Sequence, residues 1–342
     1  MMNSMVRLAI ALLLCLPLTA AAAPAAESPP ARPTVAILLF NGVEIIDYSG
    51  PYEVFGAAGY DVYTVGRTKA PVTTAMGLTV VPKYDFSDVP HADIVLVPGG
   101  RITEPRGDVQ TLDWIRQMTA SAKHTLSVCN GAIILADAGL LDGLSATTTD
   151  GWIPRMRKAY PKIHVVDDQR FVDNGKIITT AGLSAGIDGA LHVVEVTSGK
   201  SDAQQVALGL EYNWQPDRPF ARAALADKQF PDFDLKPVGD WKISDTAGDR
   251  AHWRIAFDGG KGRDAAQVMN YVADRLQADG KWNRVPVSGG GNLSSRWTFT
   301  GRDGQPWAGD VTIEPLKSDS GDYRIIFAIA RKSQSRFDRQ GD

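Results

Sequence analysis

The chain of 342 residues is poor in cysteine, has no surplus of basic residues and lacks long apolar runs. Its 36 Lys and Arg are set against 39 Asp and Glu, a formal charge of −3. Without a basic surplus there is no electrostatic footprint for phosphate backbones, which excludes nucleic acid as a partner. No apolar stretch reaches the roughly 20 residues that a membrane helix needs, which excludes a stable membrane span. The five histidines, at 91, 124, 164, 192 and 252, are scattered, and with Cys129 they give no metal-ligand spacing. A phosphate-cradling loop is also missing: Gly289-Gly290-Gly291 lacks the following lysine and the strand–helix context, and reads as a loop. The sequence thus implies neither metal nor cofactor.

What is present is the composition of a globular protein, 44% hydrophobic and 22% charged, at a length that suggests two domains. Arg7, the apolar run Leu8 to Leu18 and the small residues Ala20 to Ala23 read as a secretory signal peptide over residues 1–23. The expected location is periplasmic or secreted, and removing Arg7 takes the charge from −3 to −4. Cys15 lies in that leader, so the mature chain keeps one thiol, Cys129, and can form no internal disulfide. That thiol is either a small buried hydrophobe or a reactive group.

Residues 24–33 form a Pro/Ala-rich lead-in. From Thr34 onward, apolar runs alternate with helical periodicity. Val35 to Phe40, Ile94 to Val97 and Leu126 to Val128 read as buried strands, with Asp61 to Val65 and Leu78 to Val81 as further strands. Helices are expected over Pro51 to Ala58, 108–122, Gly131 to Ala138, Ala185 to Thr197 and Asp202 to Trp214. Asn174-Gly175 marks a hairpin between Gln169 to Asp173 and Lys176 to Thr180. The alternation predicts an α/β fold with a largely parallel sheet and helices on both faces over 34–215. A proline-bearing linker at 216–236, with a short helix over Ala221 to Lys228, precedes a small α+β domain at 237–333. That domain holds five of the eight tryptophans and the strands Trp253 to Phe257, Trp297 to Phe299, Val311 to Glu314 and Tyr323 to Ala330, with a helix from Asp264 to Ala278. Ser333 to Asp342 is a polar tail.

Cys129 ends an apolar strand, and Asn130-Gly131-Ala132 opens a helix directly after it. This is the context of an elbow that lifts a side chain above the sheet, and the helix N-terminus favours a partly ionised thiolate. Phe40-Asn41-Gly42-Val43-Glu44-Ile45-Ile46-Asp47-Tyr48-Ser49-Gly50-Pro51, Val97-Pro98-Gly99-Gly100, Val128-Cys129-Asn130-Gly131 and Ala181-Gly182-Leu183-Ser184-Ala185-Gly186-Ile187-Asp188 follow in that order. Together they resemble the ThiJ/PfpI superfamily, in the branch of isocyanide hydratases and of the sensor domains of AraC-type regulators. The resemblance covers roughly 34–215. It implies a flavodoxin-like, class I glutamine amidotransferase-like α/β/α sandwich and a homodimer.

It also implies roles for four residues: Cys129 as nucleophile, Asp47 as the acid beside the thiol, and Gly100 and Asn130 as amide donors to an oxyanion. Asp188 reads as a helix cap and His192 as a packed helix residue. Many hydratase relatives carry Ala-Thr-Thr-His-Trp where this chain has Ala146-Thr147-Thr148-Thr149-Asp150-Gly151-Trp152, so the expected histidine is replaced by Thr149 or Asp150. A cysteine without histidine suits hydration of a small electrophile better than amide hydrolysis, whose leaving amine needs an acid. The expected function is a cysteine-dependent hydratase or hydrolase acting on a small molecule. The alternatives are a non-catalytic exported ligand-binding or sensing protein, and a redox-sensing thiol.

Overall fold

The computed structural model describes residues 32–231, 234–278, 280–286, 293–316 and 321–332. The expected signal peptide, nearly all of the lead-in, the glycine run at 289–291 and the polar tail lie outside the described residues. The described chain opens with β1 (Thr34–Leu39) and α1 (Ile45–Ala57). Next come β2 (Asp61–Gly66), the short ladder of β3 (Val72–Thr73) and β4 (Thr79–Val80), and β5 (Tyr84–Asp85). β6 (Ile94–Val97), α2 (Thr103–Gly107), α3 (Val109–Ser121), β7 (His124–Ser127) and α4 (Gly131–Asp137) follow. β8 (Ser145–Ala146), α5 (Ile153–Ala159) and β9 (His164–Val165) lead to β10 (Phe171–Asp173) and β11 (Ile177–Thr180), and α6 (Ala185–Ser198) and α7 (Lys200–Gly209) end the region.

Seven strands form one sheet in the order β10-β11-β7-β6-β1-β2-β5. Every pair is parallel except the hairpin β10–β11, turned by Asn174 and by Gly175 at φ 81. β6 is buried along its whole length, as is most of β1, because helices cover both faces. One layer is α1, α6 and α7; the other is α2, α3 and α4. From β1 the order runs outward in both directions, so the carboxyl ends of β1 and β6 flank a switch point, where such sheets open a crevice. The loops after β1, β6, β7 and β11 meet there.

α1 begins at Ile45, six residues before the Pro51 that was expected to start it. Gly42 at φ 87 turns the chain, and Glu44 N–H donates to Gly99 O at 2.9 Å, so the helix starts at once. Pro51 lies inside it and has no N–H to offer the Asp47 carbonyl one turn earlier. This places Asp47 in the first helical turn. α3 is capped by Asp108, whose carboxylate accepts from Thr111 N–H at 3.1 Å. α7 stops at Gly209, short of Trp214, because Glu211 takes φ 52 and winds the chain off the helix.

The linker forms 3₁₀ turns at Arg222–Ala224, Ala226–Gln229 and Lys236–Val238 in place of a helix over Ala221 to Lys228. Leu225 is extended there (ψ 147) because Ala226 N–H is taken by Asp249 O at 2.9 Å in the C-terminal sheet region. That region contains β12 (Trp241–Gly248), β13 (His252–Gly259), α8 (Ala265–Ala278), β14 (Trp282–Val285), β15 (Ser294–Thr300), β16 (Pro306–Pro315) and β17 (Tyr323–Arg331). Its antiparallel sheet runs β12-β13-β17-β16-β15-β14. The apolar stripe Val268, Met269, Val272, Ala273 and Leu276 of α8 packs with Trp282, Trp297 and Trp307. β12 and β14 were not foreseen. β12 has no buried residue, so it carries no alternating pattern to read. Both sheets belong to one compact unit that begins at Pro33. Lys228 Nζ lies 2.5 Å from Asp150, and Arg250 3.5 Å from Asp168, tying the linker and the C-terminal region to the loops of the first sheet.

Candidate functional site

The turn after β7 is built by backbone bonds. Val128 N–H donates to Val97 O (3.1 Å), Cys129 N–H to Ala181 O (3.1 Å) and Gly131 N–H to Val128 O (2.9 Å). These hold Cys129 at φ 59, a left-handed conformation that costs a residue with a Cβ on the order of 1 kcal/mol or more. Gly131 is obligatory beside it, since a Cβ there would collide with the Val97 carbonyl. Thr148 Oγ1 donates to Cys129 O at 2.9 Å and locks the elbow from the other side.

The structure brings three of the four expected site residues together around the sulfur. Asp47 is fully buried, and its Oδ2 accepts from Gly99 N–H at 3.1 Å. Burial pushes its carboxyl up to about 7, against the lowering pull of the Gly99 amide, the Cys129 thiol and the Leu183 amide, while the charge of Glu44 adds to the rise. Its Oδ1 is buried with no partner of hydrogen-bond geometry.

Cys129 itself is only 9% exposed. Desolvation and then the charge of Asp47 push its thiol up to about 12, outweighing the Asn130 amide and the Thr149 hydroxyl, which lower it. The expected partly ionised thiolate is therefore overturned: the seven-residue helix α4 does not offset burial beside a carboxylate. Burial raises both groups, and beside the Asp47 carboxyl it favours the protonated thiol.

Gly100 does not do what was expected of it. Its N–H donates to Asn130 Oδ1 at 2.8 Å, and Asn130 Nδ2 donates back to Gly100 O at 3.0 Å. The amide expected to serve an oxyanion is thus consumed in a clamp, and the Asn130 side chain is a brace between two loops. Asn130 presents its own backbone N–H to the sulfur instead.

The place of the missing histidine is settled by geometry. Thr149 turns its hydroxyl to the Cys129 thiol, whereas Asp150 pairs with Lys228. Neither Thr149 nor Thr148 was singled out as a site residue; the signal was the run of three threonines itself. Gly182 was missed as well. A Cβ on it would stand 2.6 Å from Thr149 Oγ1 and 3.7 Å from Cys129 Sγ, so the residue must be small. Asp188 is not a cap: its carboxylate is 4% exposed, pairs with Arg170 and accepts from Tyr212 OH at 2.9 Å. His192 is packed as expected, stacked on Phe171 and held between Asp173 (2.9 Å) and Glu195 (3.1 Å). Among the described residues no group of three His, Cys, Asp or Glu could hold a metal.

Fold and elbow together define a class: a doubly wound α/β protein with a buried cysteine at the carboxyl edge of its sheet and a buried carboxyl against it. The chain belongs to the DJ-1/PfpI family, whose model matches residues 33–196. An isonitrile hydratase of Pseudomonas putida is 38% identical over 191 residues, spanning 54% of this chain and 80% of that protein. An HTH-type transcriptional regulator of Pseudomonas aeruginosa is 28% identical over 178 residues, 50% of this chain and 52% of that one. A ThiJ/PfpI family protein of Pseudomonas syringae superposes with a TM-score of 0.50 at 32% identity, covering 55% of this chain and 78% of that structure.

Proposed function

We propose that the chain hydrates small isonitriles, with Cys129 as nucleophile and Asp47 as proton shuttle. The reading rests first on one observation: a fully buried Asp47 carboxyl set against the Cys129 thiol at the strand–helix elbow, in a chain 38% identical to an isonitrile hydratase. Asp47 takes the thiol proton as sulfur bonds to the terminal isonitrile carbon, then returns it to that carbon, leaving an S-linked thioimidate. Water adds to this carbon, one of its protons passes to nitrogen, and the C–S bond breaks to release an N-formamide and the thiol. Atoms balance as isonitrile plus water. Electrostatic support at the reacting carbon comes from the Asn130 amide and the Thr149 hydroxyl, both turned to the sulfur. A base near pKa 7 suits proton transfer in both directions at neutral pH.

The test is formation of N-formamide from an isonitrile by the purified protein. Cys129→Ser is expected to lower turnover by about a thousandfold or more. Equal turnover by that variant sinks the proposal. A second reading, a non-catalytic ligand sensor, draws on the regulator relative and on the strongly raised thiol pKa. It requires no formamide and an isonitrile affinity kept in Cys129→Ala.

A further inference from the structure

A cavity of about 240 Å³ lies beside the elbow. Its floor is Thr147 to Thr149, one wall is Ala181 to Ala185, and the facing wall is Phe220 to Ala223 from the linker. Thr149 and Gly182 line the cavity and also adjoin the sulfur, for a Cβ on Gly182 would stand 2.6 Å from Thr149 Oγ1 and 3.7 Å from Cys129 Sγ. The linker wall is fixed: Ala221 is 3% exposed, and the Phe220 ring lies 5.6 Å from the Arg170 guanidinium and 5.5 Å from that of Arg218. The family model matches only as far as residue 196, so this wall lies outside the matched span.

The charges around the cavity are all committed elsewhere. Asp150 pairs with Lys228 (2.5 Å), Asp167 with Arg157 (2.9 Å), Arg170 with Asp188, and Arg222 with Asp227 (2.6 Å). A charged guest would lose its water and find no free counter-charge, a loss that hydrogen bonds to threonine hydroxyls do not restore. An apolar guest would cover Ala221, Phe220 and Leu183 instead.

We infer that Phe220–Ala223 is a specificity wall, and that the cavity receives a small, uncharged, apolar substituent and delivers its reactive end to Cys129. The chemistry at the sulfur rests on the hydration reading; the pocket's selectivity does not, so two readouts are used on the full chain. The first is labelling of Cys129, read by peptide mass, with neutral N-ethylmaleimide and anionic maleimidopropionate. The neutral reagent is expected to label at least about tenfold faster, and Ala221→Trp, which fills the cavity, to slow it about tenfold. Phe220→Ala, at a half-exposed position that tolerates truncation, is expected to speed labelling by the bulkier N-phenylmaleimide about fivefold. The second readout is turnover of methyl isocyanoacetate against isocyanoacetate, with the neutral ester expected to have about a hundredfold higher kcat/KM. Phe220→Ala should raise the KM of the ester severalfold and leave kcat within about twofold. Equal labelling by both maleimides, or labelling untouched by both substitutions, overturns the pocket. Selective labelling without formamide keeps the pocket and sinks hydration alone.

Discussion

The two sheets of this protein bury different things. Of the thirteen buried polar or charged residues among the described ones, twelve lie in the first region and one, Ser295, in the C-terminal one. The first region encloses Asp47, Asn130, Thr148 and Asp188 in a core that is mostly aliphatic, with aromatic residues such as Phe55 and Trp114 among it. The antiparallel sheet encloses Trp282, Trp297, Trp307, Phe299 and Phe327, with Trp282 and Phe299 stacked at 3.8 Å. Its single buried hydroxyl accepts from Trp297 Nε1 at 2.9 Å. Desolvated polar groups cost free energy unless they are partnered, and the first core keeps many more of them than the second. The first region holds the proposed site and the strained Cys129, whereas the second has an aromatic core whose buried area is its main holding force.

That contrast can be attacked at both ends. Cys129→Ser should remove formamide production by about a thousandfold or more while shifting the melting temperature little, because the side chain changes by one atom. An unfolding shift as large as a core truncation would break the division of labour. Trp297→Ala in the second sheet should do the reverse and cost about 3–5 kcal/mol in urea or thermal unfolding. The rate of Cys129 labelling in the folded fraction should hold, and a change there would couple the two cores.

Asp47→Asn probes the cost directly. In the folded protein the carboxyl holds its proton up to about pH 7, whereas unfolded it releases it near 3.8. Between these values the folded state binds more protons, so stability contributed by this group is full below the lower value and falls as pH rises toward the upper. The loss has a ceiling of about 4 kcal/mol. Asparagine should remove that fall, so the urea midpoint gap between pH 4 and pH 8 should narrow, and turnover should drop. An unchanged gap would mean the carboxyl is not desolvated. In the intact protein, kcat/KM for the isonitrile should rise with pH up to about 7 and stay level above it, since the shuttle needs its carboxylate while the thiol keeps its proton to about 12. The smallest effect is expected at Asp108→Ala, which removes the cap of α3 and should cost about 1 kcal/mol without touching the site.

Much of this was readable in residues. The apolar runs of β1 and β6 announced buried parallel strands, Asn174-Gly175 announced the hairpin, and the strand–Cys129–helix sequence announced the elbow. What misled was local. Pro51 looked like a helix start because proline usually occupies first turns, yet the helix begins at Ile45 through the bond of Glu44 to Gly99. β12 went unread because an exposed edge strand needs no pattern. The thiol's ionisation was misjudged from helix polarity alone, since burial is a property of every neighbouring element at once.

The sequence by itself determined the family, the doubly wound sheet and the position of Cys129 at a strand–helix bend, because those follow from periodicity and from turn residues close together in the chain. Only the tertiary structure decided which groups face the sulfur. Residue 47 comes from the first turn of α1 and residues 99, 149 and 182 from three loops far apart in sequence, and a chain folded through 3.6- and 2-residue repeats carries no local record of that meeting. It also decided that Gly100 gives its amide to Asn130 and that Asp150 turns away to Lys228. A hydrogen-bonding group takes the partner that packing puts within reach, and that choice is made after the layers close.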